Sequence, residues 1–369
     1  MDQRQLALDI WQAGVDAVGG YTATAKALQA GTPNKPDQII ALGKAAGACI
    51  RAALDHFDAL PALVITKDGH GADLPGHVRL IEAAHPVPDM RSLGAGRALR
   101  ESVAGMAPGS FLLLLVSGGA SSLAEDLVAG KTLKDLQALN QRLLAQGLDI
   151  GAMNIQRRLV SRIKGGGLLG FFRGGSVQVL AISDVPGDDL AVIGSGIGIA
   201  PEPCGFDFEA KIIASNTTAR DAAAEAATAH GLAVLANQEA LHDDLDILAP
   251  KIGKRIRDMG KGVLILGGEP TVVLPANPGR GGRNQALALA LAREIAGIDG
   301  LTVVVVGTDG SDGPTDAAGG VIDAATWGPG AAEALQRADS GTFLEQCGGL
   351  VTTGPTGTNV MDLLVAIRA

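Results

Sequence analysis

The sequence has few of the residues that nucleic-acid-binding surfaces require. Aromatic residues make up 3% of the 369 residues, and the formal net charge is −9. Proteins that bind nucleic acids combine basic patches with aromatic platforms on which bases stack. We therefore expect no nucleic-acid partner, and we expect any bound adenine to lie between aliphatic side chains.

Cysteines and long apolar runs are also scarce. The three cysteines, Cys49, Cys204 and Cys347, lie far apart and show no paired ligand spacing. This argues against a disulfide framework and a structural zinc site, and it favours a reducing cytosol. The first residues are amphipathic and include acidic side chains, unlike a signal peptide. No apolar run reaches 18 residues, so we expect a cytoplasmic protein with no membrane partner.

Apolar residues and glycine are abundant, and their arrangement predicts an α/β protein. The chain is 47% hydrophobic, has 52 glycines and is long enough for two domains. Strand and helix patterns alternate in the first part, which predicts a mainly parallel sheet flanked by helices. The polar run at 237–259 is interpreted as a linker and an amphipathic helix. The predicted domains are therefore 1–236 and 261–369, joined by a linker and helix at 237–260.

The stretch 301–320 combines a buried strand with a cluster of carboxylates. Four valines precede a glycine-rich loop that holds Asp309, Asp312 and Asp316. Loops at the carboxyl ends of buried strands are where open α/β sheets place ligands. Like charges this close repel unless a cation or a shared proton holds them. The hypothesis is a magnesium ion that bridges a phosphate, or a general base; the alternative is a solvated turn.

Six glycine-bearing turns follow apolar strands or begin helices. Glycines in such turns let backbone N–H groups approach an anion, and a helix N-terminus adds a favourable dipole. Several such loops in one cleft indicate a ligand with more than one phosphate. The turns are GKAAG, SGGASS, SDVPGDD, GGRNQ, GTDGSDGPTD and TGPTGTN.

Two familiar nucleotide motifs are not supported by their context. Residues 165–170 fit G-x-G-x-x-G, but they follow a basic polar stretch and precede a strand. The dinucleotide fingerprint requires a strand before it and a helix after it. Residues 130–132 resemble the end of a Walker A loop, but Glu125 stands where the first glycine belongs. A protein with this sequence would bind ATP through another phosphate cradle.

Five charged residues are candidates because of their positions relative to strands and glycines. Lys44 lies just after an apolar strand, and Lys164 precedes three glycines. Arg280 and Arg283 flank a diglycine, and the guanidinium group suits phosphate or carboxylate. Asp184 follows a buried strand, which suits a metal ligand or a base.

Eight motifs occur in the order seen in the glycerate 2-kinase family, and the sequence resembles that family over nearly its whole length. They are GKAAG (43–47), HPVPD (85–89), VSGGASSL (116–123), IKGGGL (163–168), SDVPGDD (183–189), GGRNQ (281–285), GTDGSDGPTDAAG (307–319) and TGPTGTNV (353–360). The resemblance implies a Rossmann-like N-terminal domain and a C-terminal MOFRL domain. It also implies transfer of the γ-phosphoryl of ATP to the 2-hydroxyl of D-glycerate, with Mg²⁺ or another divalent cation. Three positions depart from the family pattern, namely Ile197, Ala286 and Met361.

The resemblance also implies roles for individual residues. The family's lysine, aspartates and arginine fall on Lys44, Asp184, Asp309 and Arg283. Phosphoryl transfer needs cations at the phosphates, carboxylates for the metal and a base near the acceptor hydroxyl. Lys44 and Arg283 would supply charge, Asp309 and Asp312 would hold the metal, and Asp184 is the base or a second metal ligand; these last two roles are interchangeable. The remaining candidates for substrate or phosphate binding are Ser117, Gly118, Gly119, Lys164, Asn216, Arg280 and Asn359.

Two other functions stay open at this point. One is an NAD(P)H-dependent hydroxypyruvate reductase, a label that some family members have carried, although the failed fingerprint counts against it. The other is a non-catalytic regulator that binds sugar phosphates, which would have little need for clustered aspartates. For the kinase we expect ATP and D-glycerate as partners in a cleft between the domains. Homodimerisation is left open.

Overall fold

Two six-stranded sheets, each in its own unit of the chain, form the framework of the protein. The computed structural model describes residues 2–31, 34–71, 74–145 and 150–369. We call the two units the parallel-sheet unit (Gly19–Ser215 and Gly357–Asn359) and the mixed-sheet unit (Met1–Val18, Asn216–Thr356 and Val360–Ala369). Both units draw on separate stretches of chain, and the domain bounds with a linker and helix at 237–260 stay a prediction. The cleft between domains stays a prediction.

Helices and strands alternate along most of the chain. In order they are α1 (Gln3–Ala17), α2 (Gly20–Gln29), β1 (Gln38–Leu42), α3 (Ala46–Phe57), β2 (Ala62–Lys67), β3 (Arg79–Ala83), α4 (Met90–Ala104), β4 (Phe111–Val116), α5 (Ala120–Leu123), α6 (Leu133–Ala145), α7 (Ile150–Arg158), β5 (Ser176–Ile182), β6 (Asp207–Ala214), α8 (Asn216–Ala229), β7 (Val234–Glu239), α9 (Leu245–Asp258), β8 (Gly262–Gly268), α10 (Arg283–Ile295), β9 (Leu301–Gly307), β10 (Gly319–Asp323), α11 (Ala331–Gln336), α12 (Ser340–Gln346), β11 (Leu350–Val351) and β12 (Asp362–Arg368).

The parallel-sheet unit contains a doubly wound sheet. Its strand order is β3-β2-β1-β4-β5-β6, and every neighbouring pair is parallel. β4 (FLLLLV) is buried along almost its whole length because helices cover both faces of such a sheet. The strand order reverses between β1 and β4, which is the point where doubly wound sheets bind their ligands. The predicted α/β fold with a parallel first sheet is confirmed.

The loop that precedes α4 is fixed at the N-terminus of that helix. Asp89 accepts hydrogen bonds from the backbone N–H groups of Arg91 (2.9 Å) and Ser92 (3.2 Å). The Ser92 hydroxyl accepts a hydrogen bond from the Asp89 backbone N–H (3.2 Å), which completes a capping box. The HPVPD segment therefore enters the helix in a defined direction.

The mixed-sheet unit has strand order β11-β10-β9-β12-β8-β7. Only β7 and β8 pair in parallel; the other four pairs are antiparallel. The N-terminal helix α1 packs on this sheet, and the Trp11 indole N–H donates to the carbonyl of Val306 (3.3 Å). Residues 237–239, part of the predicted linker, end strand β7. Further along that segment lies α9 (Leu245–Asp258), whose apolar face lies in the core of this unit.

Membrane-spanning helices were not expected from the sequence. Within the described ranges, no helix has the length and apolar character needed to cross a bilayer.

Candidate active site

Two loops meet at the strand-order reversal of the parallel-sheet unit. The Lys44 backbone N–H, after β1, donates to the carbonyl of Gly118, after β4 (2.9 Å). The Ser117 hydroxyl accepts from the Ala45 N–H (3.1 Å) and is fully buried. In the described structure Ser117 therefore ties the two loops together, and its substrate-binding role stays a prediction.

A carboxylate and an amide lie against the backbone of Gly118. The Asn359 Nδ2 group donates to Asp184 Oδ2 (3.1 Å). A Cβ atom at residue 118 would overlap the carboxylate of Asp184 and come within 2.5 Å of the Asn359 amide nitrogen. Glycine at 118 is therefore required for this pair to form beside the loop. The structure brings together three of the predicted site residues, from segments far apart in the sequence.

Gly119 separates a cation from an imidazole ring. Its φ of 83° lies in the left-handed region that favours glycine. A Cβ atom there would lie 3.1 Å from Nε2 of His85 and 3.2 Å from Cγ of Lys44. His85 is a residue that the sequence reasoning did not assign to the site. Lysine, imidazole and carboxylate groups thus occur along one edge of the sheet. Side chains of these types can bind an anion and transfer a proton.

Lys164 has a different environment from Lys44. Its ammonium is buried and lies 2.6 Å from the carboxylate of Glu125. The other oxygen of Glu125 accepts from the Ser161 hydroxyl (2.5 Å). Burial lowers the pKa of Lys164, and Glu125 opposes that shift. The ion pair accounts for the buried lysine as a structural element, and the predicted phosphate contact of Lys164 stays a prediction.

In the mixed-sheet unit, Asp312 caps helix α10. Its two carboxylate oxygens accept from the backbone N–H groups of Asn284 (3.0 Å) and Gln285 (2.9 Å). A side chain at Gly282 would overlap this carboxylate. Burial raises the pKa of Asp312 to about 6, although the two helix N–H groups favour the charged form.

Arg283, the first residue of α10, holds two carboxylates. Its Nε donates to Asp362 (2.7 Å), and Nη1 donates to Glu269 (2.6 Å). Burial lowers the pKa of Arg283, but the two carboxylates outweigh burial and raise it above its ordinary value. Beside it, the amide of Asn284 is 1% exposed and makes no hydrogen bond within the described residues. A buried amide without partners is uncommon in folded proteins.

Two further predicted ligands serve internal contacts in the mixed-sheet unit. The Asn216 amide donates to the carbonyls of Val360 (2.9 Å) and Asp362 (3.2 Å), and its oxygen accepts from Arg220 (2.9 Å). Arg280 pairs with Glu345 at the surface. The ligand-binding roles of Asn216 and Arg280 stay predictions.

The two predicted metal ligands, Asp309 and Asp312, lie in different environments. Both oxygens of Asp312 accept helix N–H groups, and its predicted role in holding the metal, directly or through water, stays a prediction. Asp309 is half-buried, and its Oδ1 accepts from the N–H and hydroxyl of Ser311 (both 2.9 Å). In the part of the chain that the structure describes, no three His, Cys, Asp or Glu side chains form a metal-binding group. Magnesium that arrives with a nucleotide needs only one or two carboxylates, and the metal-binding role of Asp309 also stays a prediction.

Three acidic residues of these networks were missed at the sequence level. Glu125 partners a lysine 39 positions later, whereas Glu269 and Asp362 partner Arg283. Glu269 directly follows the diglycine at the end of β8, and Asp362 begins β12. For Glu269 and Asp362, the position at a strand end was the signal available in the sequence. The partners of all three residues are set by the tertiary fold.

The G-x-G-x-x-G match at residues 165–170 lies outside a strand–helix turn. The segment forms turns and a short 3₁₀ helix, Leu169–Phe171, and β5 follows it. The first turn of the doubly wound sheet, where a dinucleotide fingerprint would lie, is GKAAG after β1.

The chain is similar to known proteins over most of its length. A family model described as a domain of unknown function (DUF4147) matches residues 6–237, and the MOFRL family model matches residues 262–362. Glycerate 2-kinase of Pyrococcus horikoshii is 34% identical, over 89% of this chain and 86% of the relative. A protein of Agrobacterium vitis, named provisionally as a hydroxypyruvate reductase, is 37% identical, over 88% and 97%. The crystal structure of glycerate kinase from Thermotoga maritima matches with a TM-score of 0.88 and 31% identity, over 99% of both chains.

Proposed function

We infer, since the chain belongs to the glycerate 2-kinase family, that it catalyses phosphoryl transfer to the 2-hydroxyl of glycerate. The observation that carries this conclusion is the similarity to glycerate 2-kinases over nearly nine-tenths of the chain. Kinase activity implies ATP as the phosphoryl donor. We propose that the acceptor is the D enantiomer and that ATP enters as its magnesium complex.

Lys44 is proposed to bind charge at the edge of the parallel sheet. Its backbone is fixed by the bond to Gly118, and its side chain passes Gly119. An ammonium held in this way neutralises the carboxylate of glycerate or the transferring phosphoryl group. Because the backbone is already positioned, little reorganisation is needed when the substrate binds.

Asp184 is proposed to accept the proton of the acceptor hydroxyl. It follows β5, and the amide of Asn359 donates to one of its oxygens (3.1 Å). This hydrogen bond orients the carboxylate, as a general base beside the acceptor hydroxyl requires. Asn359 would then act on the reaction by positioning Asp184, in addition to its predicted substrate contact.

Arg283 is proposed to bind a phosphate or carboxylate group by exchanging one of its partners. Its bond to Asp362 is buried, since that side chain is 3% exposed, whereas Glu269 is 45% exposed. An exposed ion pair contributes little, so Glu269 can be replaced at low cost. The guanidinium would then offer one fork to an anion while Asp362 still holds the other side.

Magnesium is proposed to bind through ATP and Asp309. The ion would neutralise charge on the β- and γ-phosphates. Asp309 supplies the carboxylate, while Asp312 holds the beginning of α10 next to Arg283. Asp312 would thus support the site through the helix.

The test is a coupled assay for ADP release over a panel of small hydroxy acids. The proposal predicts turnover with D-glycerate and much lower turnover with L-glycerate, glycolate and lactate. The similarity to the Agrobacterium vitis protein makes the reductase the second candidate, so the same enzyme is mixed with hydroxypyruvate and NADH. If NADH absorbance falls with hydroxypyruvate and no hydroxy acid gives ADP release, the reductase becomes the favoured function. Turnover of neither would reject both.

A further inference from the structure

A cavity in the parallel-sheet unit lies beside Gly119, one of the predicted phosphate-binding residues, and the HPVPD segment also lines it. It has a volume of about 480 Å³. Four segments line it: the loop at residues 85–88, the turn that holds Gly119, helix α6 and Arg157 of α7. The volume falls in the range of roughly 300–1,000 Å³ that is usual for small-molecule and cofactor sites.

The charge of this cavity favours an anionic ligand. Among the described residues that line it there is no Asp or Glu, and Arg157 is the one lysine or arginine. The Arg157 Nε donates to Asn140 (3.3 Å) and Nη1 to Asn154 (3.5 Å), and no carboxylate among the described residues lies within ion-pair distance. Glu125, which acts on Arg157 from further away, is already paired with Lys164. A half-buried guanidinium with only neutral partners gains free energy when an anion binds.

The size and the other side chains favour a nucleoside. At about 30 Å³ per water, the 480 Å³ cavity has room for roughly sixteen water-sized groups, more than a three-carbon acid fills. Gln137, Asn140 and Gln141 lie on one face of α6, since residues three and four apart are neighbours on a helix. The Gln137 amide donates to the carbonyl of Pro88 (3.0 Å) and the Asn140 oxygen accepts from Arg157 (3.3 Å), so the edge of a base would meet the Gln141 amide and the remaining groups of the other two. Pro86 and Val87 add apolar surface to the lining, in a chain poor in aromatic residues.

The position of the cavity indicates how a bound nucleotide would be oriented. Gly119 lines the cavity, and the side chain of Lys44 passes the same glycine. A nucleotide whose base faces α6 can therefore extend its phosphates past Gly119 toward Lys44. We propose that this cavity binds the purine nucleoside of the phosphoryl donor, with the amides of α6 facing the base and Arg157 and Lys44 facing the phosphates. This assignment rests on the proposed kinase function.

The test uses two tryptophan substitutions on one helix. Gln141→Trp places a bulky ring in the cavity, whereas Ala138→Trp places the same ring on an exposed position of α6 outside the cavity lining. Isothermal titration calorimetry measures the Kd of ADP with magnesium, in the absence of any acceptor. We expect Gln141→Trp to raise this Kd at least tenfold and Ala138→Trp to leave it within about twofold, while both variants keep the wild-type Tm.

Arg157→Gln supplies an independent measurement. If Arg157 faces the phosphates, this variant weakens ADP binding more than adenosine binding. If both ligands are weakened equally, Arg157 acts only on the shape of the cavity and its assigned contact is wrong. Variants of Arg157 and Gln141 are both judged against wild-type enzyme at the same temperature and ionic strength.

Several outcomes would overturn the assignment. Wild-type affinity for ADP in Gln141→Trp would do so, and so would an absence of ADP binding by the wild-type protein. Weakened D-glycerate binding with unchanged ADP binding would reassign the cavity to the acceptor. The proposed function fails separately: a wild-type protein that makes no phosphoglycerate but loses ADP binding in Gln141→Trp contradicts the kinase and retains the nucleotide cavity.

Discussion

Arginines in the two units are compensated in opposite ways. Arg157, in the parallel-sheet unit, has neutral amide partners and faces a cavity. Arg283, in the mixed-sheet unit, is bound to the carboxylates of Asp362 and Glu269. The first arrangement leaves capacity for an anionic ligand, whereas in the second an anion must displace a carboxylate. The charge of an arginine or lysine does not by itself indicate a phosphate site. The groups that already pair with it decide whether an anion can bind without displacing a carboxylate.

Two lysines of the parallel-sheet unit differ in how deeply they are buried. Lys44 is partly exposed at the strand-order reversal, and Lys164 is 4% exposed and paired with Glu125. The sequence placed both beside glycines and made both candidates for phosphate. Substitutions that separate stability from turnover can distinguish the two roles.

The largest expected effect on stability is that of Lys164→Met. Removal of the ammonium leaves Glu125 charged and buried, which typically costs about 3–5 kcal/mol. The double variant Lys164→Met/Glu125→Leu removes both charges and should recover most of that loss. Urea unfolding of the two variants measures the effect. Near-wild-type stability together with lost turnover would instead support a phosphate contact for Lys164.

Lys44→Ala should reduce turnover without unfolding the protein. Loss of a cation that stabilises the transition state costs about 3 kcal/mol, or roughly 150-fold in kcat. The Tm should stay within a few degrees of wild type, because the backbone bond to Gly118 does not involve the side chain. Steady-state kinetics and thermal unfolding check both parts. A near-normal kcat would remove Lys44 from the mechanism.

Asp312 makes stability depend on pH in an unusual direction. Its pKa is about 6 in the folded protein and 3.8 as the ordinary value, so the folded state binds more protons between these values. Stability from this group is present below pH 3.8 and is lost as pH rises through 6, by up to roughly 3 kcal/mol. The wild type should therefore lose stability relative to Asp312→Asn between pH 4 and pH 7. A gain over the same range in urea unfolding would mean that the helix N–H groups outweigh burial.

The smallest effect is expected at the exposed partner of Arg283. Glu269→Gln removes an exposed ion pair and should change the free energy of unfolding by less than about 1 kcal/mol. Asp362→Asn is the matched variant in the buried position and should cost more, since it leaves Arg283 without its buried anion. Equal effects in chemical denaturation would show that the two carboxylates are equivalent and that neither exchanges preferentially.

Strands and loops at the reversal point could be predicted because their signals are local. β1 and β4 are short apolar runs followed by glycines, and doubly wound sheets place ligands after such strands. The loops that carry Lys44, Gly118 and Asp184 were therefore identified from residue types and order alone. Asn359 came from the family resemblance, and its contact with Asp184 spans 175 residues.

Partners that depend on tertiary packing could not be predicted. The pairing of Lys164 with Glu125 and the capping of α10 by Asp312 join separate segments. α1 packs on a sheet formed by the far end of the chain, and no local pattern specifies that. The cavity beside Gly119 likewise needs four segments at once. Residue type indicated which side chains could take part in binding or catalysis. The fold determines which of their charges are already neutralised by a partner.

Phosphorus-31 NMR of the reaction product shows directly whether the enzyme phosphorylates the 2-hydroxyl of D-glycerate. The wild-type enzyme is incubated with D-glycerate, ATP and magnesium, and the phosphate ester is assigned from its proton couplings. We expect 2-phosphoglycerate in amounts equal to the ADP formed. A phosphate ester at the 3-hydroxyl, or ADP formation without any phosphoglycerate, would contradict it.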